Sequence, residues 1–410
     1  MITAAGYFLL LVILSLRAVT LSRQHRFSLA SFAFFTIVYF TIRPIWLSFS
    51  SEFDSAYLYL NRLEYVPLEA LHEVLFFVSA CWLLIEIGYR FSTGTIKVKE
   101  NLRRVNRRSR FSLGVLFLVF VSLGLITNIH PLFRLLYLLG LFLVIYLCSF
   151  IFRYGFRFKG AIVSFVFLLS VLVLLFGSDD RRDFAVALAA FFLMFLTFRE
   201  SFKIPIKSLL YFTVGVVAFL LFAIGMRQGS YNTSYLSGGN LESVVAVELD
   251  FPIVFDTVHH VFYKHTIDDA HWGVYYLKPF FWLIPRSIFP DKPETLSRVI
   301  SREFNPGFYS AGGSEPITIY GEFFFNFYWF GVLLFFLVGY SLGLLDDYYL
   351  RSSEWFQRSL AVTLISSLFF VFRGPIDTVL IYYFVLIIVY YILSKKSRLP
   401  YFSIDGQSHG

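Results

Sequence analysis

Cysteine is nearly absent from this chain. The only two in 410 residues, Cys81 and Cys148, both lie inside long apolar runs, so neither a disulfide framework nor a thiolate metal site is available. Charge is also sparse. Asp, Glu, Lys and Arg make up 15% of the residues against 58% hydrophobic and 21% aromatic ones, a balance that excludes a soluble domain with one anchor and indicates a polytopic membrane protein. No internal repeat, no Gly/Ser-rich or Pro-rich linker and no glycine-rich nucleotide-binding loop interrupts the sequence. The histidines offer neither His-x-x-x-His nor His-Glu-x-x-His spacing, so no metal is expected. The first apolar run lacks a basic leader, since Met1-Ile2-Thr3-Ala4-Ala5 precede it uncharged. It is expected to be a retained span.

What the chain does have is apolar length. A window of about 20 residues crosses a hydrocarbon core. With such a window, eleven runs emerge: 3–22, 27–47, 67–89, 111–128, 132–152, 160–176, 184–198, 208–226, 323–345, 356–372 and 376–393. Of the 35 Lys and Arg residues, 22 fall in alternate gaps, eight of them between positions 90 and 110. Positive charge is retained in the cytoplasm, so the N-terminus is expected outside and the C-terminus inside. The net charge of +8 is that bias summed over loops and does not point to nucleic acid. The expected fold is all-α, with about 11 transmembrane helices and one large outer loop. Residues 1–226 carry eight spans, 227–316 form the loop that carries the site, and 317–410 hold three spans and a cytoplasmic tail.

The loop holds seven basic and ten acidic residues, so it is not simply a basic patch. Two stretches look helical. In 253–264 an apolar stripe of Ile253, Val254, Val258, Val261 and Phe262 opposes Asp256, His260 and Lys264 on the polar side. In 294–304 Leu296, Val299 and Ile300 face inward, while Arg298 and Arg302, four apart, share the other face; Asp291 and Pro293 suit its start. Between them, three prolines in 282–293 forbid a regular helix or central strand. That apolar, extended segment is expected to lie along the membrane surface.

Three constellations could carry chemistry. The first is a set of outer-face cations: Arg227, Arg286, Arg302 and Arg373, with Lys292 and Arg298 close by in sequence. A guanidinium presents planar, forked donors suited to phosphate; the bland alternative is pairing with the loop's carboxylates. The second is acid–base capacity in His259, His260, His265, His271, Glu315 and Glu322. Glu322 sits where the chain re-enters the membrane, and burial there would raise its pKa and favour proton acceptance. His260, one turn from Asp256, is its rival; an ion pair of Glu322 with Arg373 is the structural alternative. The third is the aromatic run from Trp272 to Trp282, suited to stacking on sugars and equally to an interfacial belt. Within the spans, Arg43 and Glu73 both lie near outer ends, where they are expected to pair.

Several motifs together resemble the Wzy-type O-antigen polymerases, which join oligosaccharide repeat units. They are the segment Ile284 to Pro293 (IPRSIFPDKP), the stretch Tyr320 to Gly331 (YGEFFFNFYWFG) opening a span, and Arg373-Gly374-Pro375 between the last two spans. Arg227 with Gly238, and Arg302 with Gly313, keep the Arg-x10-Gly spacing associated with that family's outer loops. The likeness covers about 225–376; the first eight spans contribute only topology. It implies a GT-C-like glycosyltransferase of the bacterial inner membrane, acting on undecaprenyl-diphosphate-linked oligosaccharides at the periplasmic face without a cofactor. By that resemblance Arg302 stabilises the departing diphosphate, and Arg227, Arg286, Lys292, Arg298 and Arg373 bind donor phosphate or sugar. Glu322 or His260 then takes the acceptor's proton. The partners implied are the lipid-linked oligosaccharides, membrane lipid and, as an optional one, a chain-length regulator protein. An O-antigen ligase or other lipid-linked glycan transferase is the alternative, and a flippase a more distant one. A flippase is expected to bury charges along many spans, and the spans here are mostly charge-free.

Overall fold

The computed structural model describes residues 2–49, 70–93, 251–281, 284, 288–290, 294–304, 306–310, 312–352 and 355–396, with isolated helical positions between 141 and 197. The expected spans at 111–128, 160–176 and 208–226, most of those at 132–152 and 184–198, and Arg227, Arg286 and Lys292 lie outside the described residues. The described residues are all-helical and contain no strand.

In chain order the helices are α1 (Ile2–Arg23), α2 (Phe27–Phe40), α3 (Ile42–Phe49), α4 (Ala70–Ser92), α5 (Phe251–Lys264), α6 (Lys278–Phe281), α7 (Leu296–Phe304), α8 (Pro306–Ser310), α9 (Ile319–Phe327), α10 (Gly331–Arg351), α11 (Trp355–Arg373) and α12 (Ile376–Lys396). Among the described residues, four stretches are long and apolar enough to cross a membrane: Thr3–Arg23, Phe27–Ile45, Ala70–Ser92 and Ile319–Arg351.

Side-chain contacts fix their relative directions. The Tyr7 hydroxyl donates to the Leu71 carbonyl at 2.9 Å, and Arg17 binds Glu86 bidentately at 2.6 and 2.8 Å, so α1 and α4 run parallel. The Ser28 amide donates to Asp346 at 2.8 Å while Thr36 meets the Tyr320 hydroxyl at 3.0 Å, so α2 runs against the α9–α10 stretch. Helix α11 follows α2 through ring contacts of Phe35 with Phe369 and of Tyr39 with Phe372.

The tightest seam joins α4 to α10. A Cβ placed on Gly339 would collide with the Ile85 carbonyl, one on Gly88 with the Phe336 carbonyl, and one on Gly343 with the Ser92 hydroxyl. Gly339 and Gly343 are four apart, a small-x-x-x-small stripe that lets two backbones touch where lipid supplies no hydrophobic drive.

Two expected spans are broken. The run 27–47 divides at Thr41 into α2 and α3, just before Pro44. The run 323–345 starts earlier, at Ile319, and breaks after Phe327 at a single turn of tighter helix, Tyr328–Phe330. Tyr328 has a φ of 51°, a left-handed conformation unfavourable for a bulky residue. It persists because Gly331 packs directly against the Phe323 backbone, where a Cβ would lie 2.5 Å from the carbonyl oxygen. The Trp272 amide also holds the Asn326 carbonyl at 2.7 Å.

The elements between 251 and 327 gather at one end of the bundle. Helix α5 packs on α2, α3, α4 and α9. Phe262 stacks on Phe324 with ring centres 3.7 Å apart, and Phe77 meets both edge-on. This is the end where α2 finishes and α4 and α9 begin.

Candidate functional site

Helix α5 is the keel of the site. Its stripe of Val254, Val258, Val261 and Phe262 is buried as expected, but Asp256, His259 and His260 are buried too. The polar side assigned from the sequence is therefore exposed only at Lys264, at the helix end, and interior at Asp256 and His260. Neighbouring helices wall it in, and the cause is visible in Asp256. Its carboxylate receives the Arg43 guanidinium twice, Nε to Oδ1 at 3.3 Å and Nη2 to Oδ2 at 3.2 Å. The expected partner Glu73 is instead exposed on the first turn of α4. A buried guanidinium needs a carboxylate with matching geometry, and α5 supplies it. His260 lies one turn further along the same buried helix, and the His259 ring lies near-parallel to Phe255, 5.9 Å away.

Glu322 occupies the first turn of α9 with no exposed surface. Its Oε2 accepts the Ile376 amide at 2.7 Å, so the carboxylate caps the start of α12. A negative charge suits a helix N-terminus, where amides lack partners. Arg373, the last residue of α11, lies three positions before that amide and is half-buried. Glu322 thus joins the re-entry helix to the hairpin carrying Arg-Gly-Pro, through backbone at Ile376. The opening turn of α9 is set by Thr318, whose hydroxyl accepts the Gly321 amide.

The open part of the site is α7. Leu296, Val299 and Ile300 are buried, while the side chains of Arg298 and Arg302 are 39% and 57% exposed on the other face, as the spacing predicts. Both guanidinia gather on Glu294: Arg302 Nη1 is 3.1 Å from Oε2, and Arg298 Nε is 3.8 Å from Oε1. Tyr309 donates to Glu294 at 3.1 Å, and the Arg298 guanidinium lies over its ring at 4.8 Å. Two forked cations and a phenol converging on one carboxylate is the donor set that a phosphoryl group would also find.

Helix α7 is tied to the end of the keel by His265 and to the segment before α9 by Ser301. His265 Nε2 is 3.3 Å from Glu303, and its ring meets Phe325 of α9 edge-on at 4.1 Å. The Glu315 amide donates to the Ser301 hydroxyl. Beside them a tight run, Ile267–Asp269 and Val274–Leu277, brings His271 and Tyr275 together with ring centres 5.1 Å apart, and His271 stacks on Phe325 at 4.7 Å. Burial, then the charge of His265, lowers the His271 pKa. Burial raises that of Tyr275, which stands in the fields of Arg302, Glu303 and Glu294. Amide and hydroxyl donation from Thr266 holds Asp269 below its usual range.

Of the expected site residues, the structure thus brings Arg298 and Arg302 together on an open face, buries Glu322 and His260, and sets Arg373 at the hairpin tip. Glu294 and Tyr309 were missed as members, and Asp256, expected beside His260, was not expected to pair with Arg43. Glu294 had a readable signal, a carboxylate four residues before Arg298 and eight before Arg302. Among the described residues, no group of three or more His, Cys, Asp or Glu side chains gathers as a metal site would require.

No protein-family model matches the chain, and no curated protein or solved structure does either. Function must therefore be argued from the residues themselves.

Proposed function

We propose that this chain is an oligosaccharide repeat-unit polymerase of the Wzy type, a membrane glycosyltransferase using undecaprenyl-diphosphate-linked oligosaccharides at the outer face of a bacterial inner membrane. The observation that carries the reading is the arginine face of α7, exposed at the bundle end where Glu322 of α9 meets the turn between Arg373 and Ile376. The donor brings its own leaving group. The bond between the anomeric carbon and the diphosphate oxygen breaks, and undecaprenyl diphosphate leaves with the electron pair. The acceptor hydroxyl oxygen bonds the anomeric carbon, and its proton passes to a base.

Arg302 and Arg298 exchange Glu294 for the diphosphate and stabilise the charge that builds up as it leaves. Glu322 is the base, with His260 as its rival. Glu322 is closed off in the structure, so it reaches a hydroxyl only when the Arg373–Ile376 turn lifts from α9. Arg302 is open to a ligand before anything moves. Such a division, with binding groups open and the proton acceptor sequestered, limits hydrolysis of the donor by water.

The test is the surface-polysaccharide ladder of a deletion strain. The polymerase reading expects long chains to vanish while single repeats remain attached. A ligase or flippase would instead leave no repeat on the acceptor, and that result would replace the assignment.

A further inference from the structure

The turn following α5 has an inverted surface. Between Trp272 and Phe281 the only charge is Lys278, which is 8% exposed, whereas Leu277 and Phe280 are 51% and 79% exposed. Trp272 and Val274 are likewise exposed. A segment facing water hides apolar groups and shows its lysine, so this pattern belongs to a surface in contact with something apolar.

The position of the segment identifies that contact. The Val274–Leu277 turn and α6 pack on α12, while Trp272 reaches Phe330 at the head of α10, ring centres 6.2 Å apart. Its exposed side chains are therefore flanked on one side by exposed Phe330, Leu333 and Leu337 of α10, and on the other by exposed Leu380, Phe384 and Ile387 of α12. Those two rows are faces of long apolar helices that no described protein element covers, the surface that a bilayer wets. Trp and Tyr concentrated beside them, as in Trp272, Tyr275 and Tyr276, are the residue types that settle at the headgroup boundary. A left-handed φ of 48° at Trp272 and of 81° at Gly273 shapes the turn, and the bond from the Trp272 amide to Asn326 anchors it.

We propose that Trp272 to Phe281 is an interfacial lip seated in the bilayer beside α10 and α12, binding lipid acyl chains through Leu277 and Phe280. The occupant is lipid, because the patch is flush with two lipid-facing helix sides and carries no exposed charge for a protein partner to pair. The lip also fixes the depth of the adjoining His271–Tyr275 corner, and hence of the arginine face beside it. The proposal rests on the chain being a membrane protein and not on polymerase activity.

The test uses nitroxide labels in vesicles of three parts phosphatidylethanolamine to one part phosphatidylglycerol. The label is placed through Phe280→Cys, Asp268→Cys or Leu333→Cys in a Cys81→Ala, Cys148→Ala background. Collision with oxygen is compared with collision with a water-soluble nickel chelate. The label at 280 should favour oxygen, as at 333, while that at 268 favours nickel. Nickel preference at 280 would place the lip in water, and shielding from both reagents would mean that protein covers it; either result overturns the proposal. A second measurement needs no label. The tryptophan emission lost in Trp272→Phe should be the share that brominated acyl chains quench in the wild type. If aqueous acrylamide quenches it instead, the lip is not in the bilayer.

Discussion

Arg43 and Asp256, 213 positions apart, form a two-point ion pair at 3.2 and 3.3 Å with both side chains buried. Through it α3, on the N-terminal side, grips the helix that carries the loop. Removing one partner leaves an uncompensated buried charge, which costs about 3–5 kcal/mol in comparable pairs. Asp256→Ala and Arg43→Ala should each lower the unfolding temperature in detergent sharply. The double variant Arg43→Met with Asp256→Leu should recover most of the loss. A double variant as unstable as the singles would mean that the pair contributes more than mutual neutralisation.

The glycine seam makes a sharper packing prediction. Gly339→Leu and Gly343→Val thrust side chains into the α4 backbone and the Ser92 hydroxyl, so both should abolish monodisperse purification. Gly307→Ala, where nothing lies within 4 Å, should purify like the wild type. Equal behaviour of all three would show that α4 and α10 do not touch there.

At the arginine face, Arg302→Ala should abolish polymerisation with membrane abundance unchanged, because the side chain is exposed and carries no packing load. Arg302→Lys should rescue poorly, since a single ammonium cannot make the planar two-point contact. Full chain length in both variants would remove Arg302 from the site.

The base assignment separates by chemistry. Glu322→Gln keeps the shape of the cap on Ile376 but removes the proton acceptor, so it should insert normally and fail to polymerise. Normal polymer from Glu322→Gln, with a well-expressed but inactive His260→Ala, would transfer the role to His260.

The His271 corner predicts a pH dependence. Its folded pKa lies below the ordinary 6.5, so above that value both folded and unfolded forms are neutral and stability is intact. As pH falls through 6.5 the unfolded chain takes the proton first, and the corner loosens until the folded pKa is passed. The protection of amides across 266–277, taken relative to the intrinsic exchange rate at each pH, should therefore fall on acidification from neutral pH, and His271→Gln should flatten that change. Asp269 acts in the same direction but only below its ordinary 3.8, well outside this window.

The helices easiest to read were those whose apolar length alone decides them. The ends of α1 and α4 fall within a few residues of the expected runs, because about 20 apolar residues have no other stable arrangement in a membrane. The break at Tyr328 was not readable, since hydropathy continues unbroken through it and only the tertiary packing of Gly331 holds it, whereas the break at Thr41 left a signal in Arg43-Pro44. The two faces of α7 were legible from a spacing of four. The interior setting of Asp256 was not, because its partner Arg43 belongs to another helix and local periodicity carries no record of it. The seam at Gly339 and Gly343 could have been found from its spacing of four small residues apart, a signal masked by the uniformly apolar run around it.

Reconstitution tests the central claim most directly. The purified chain in nanodiscs is given an undecaprenyl-diphosphate-linked repeat unit as both donor and acceptor, and the products are resolved by mass. The polymerase reading predicts products growing by whole repeats, still carrying undecaprenyl diphosphate at one end, formed in the presence of EDTA and absent with Arg302→Ala. Transfer of single, unextended repeats to a different acceptor, or movement of the substrate between leaflets with no new glycosidic bond, would contradict it.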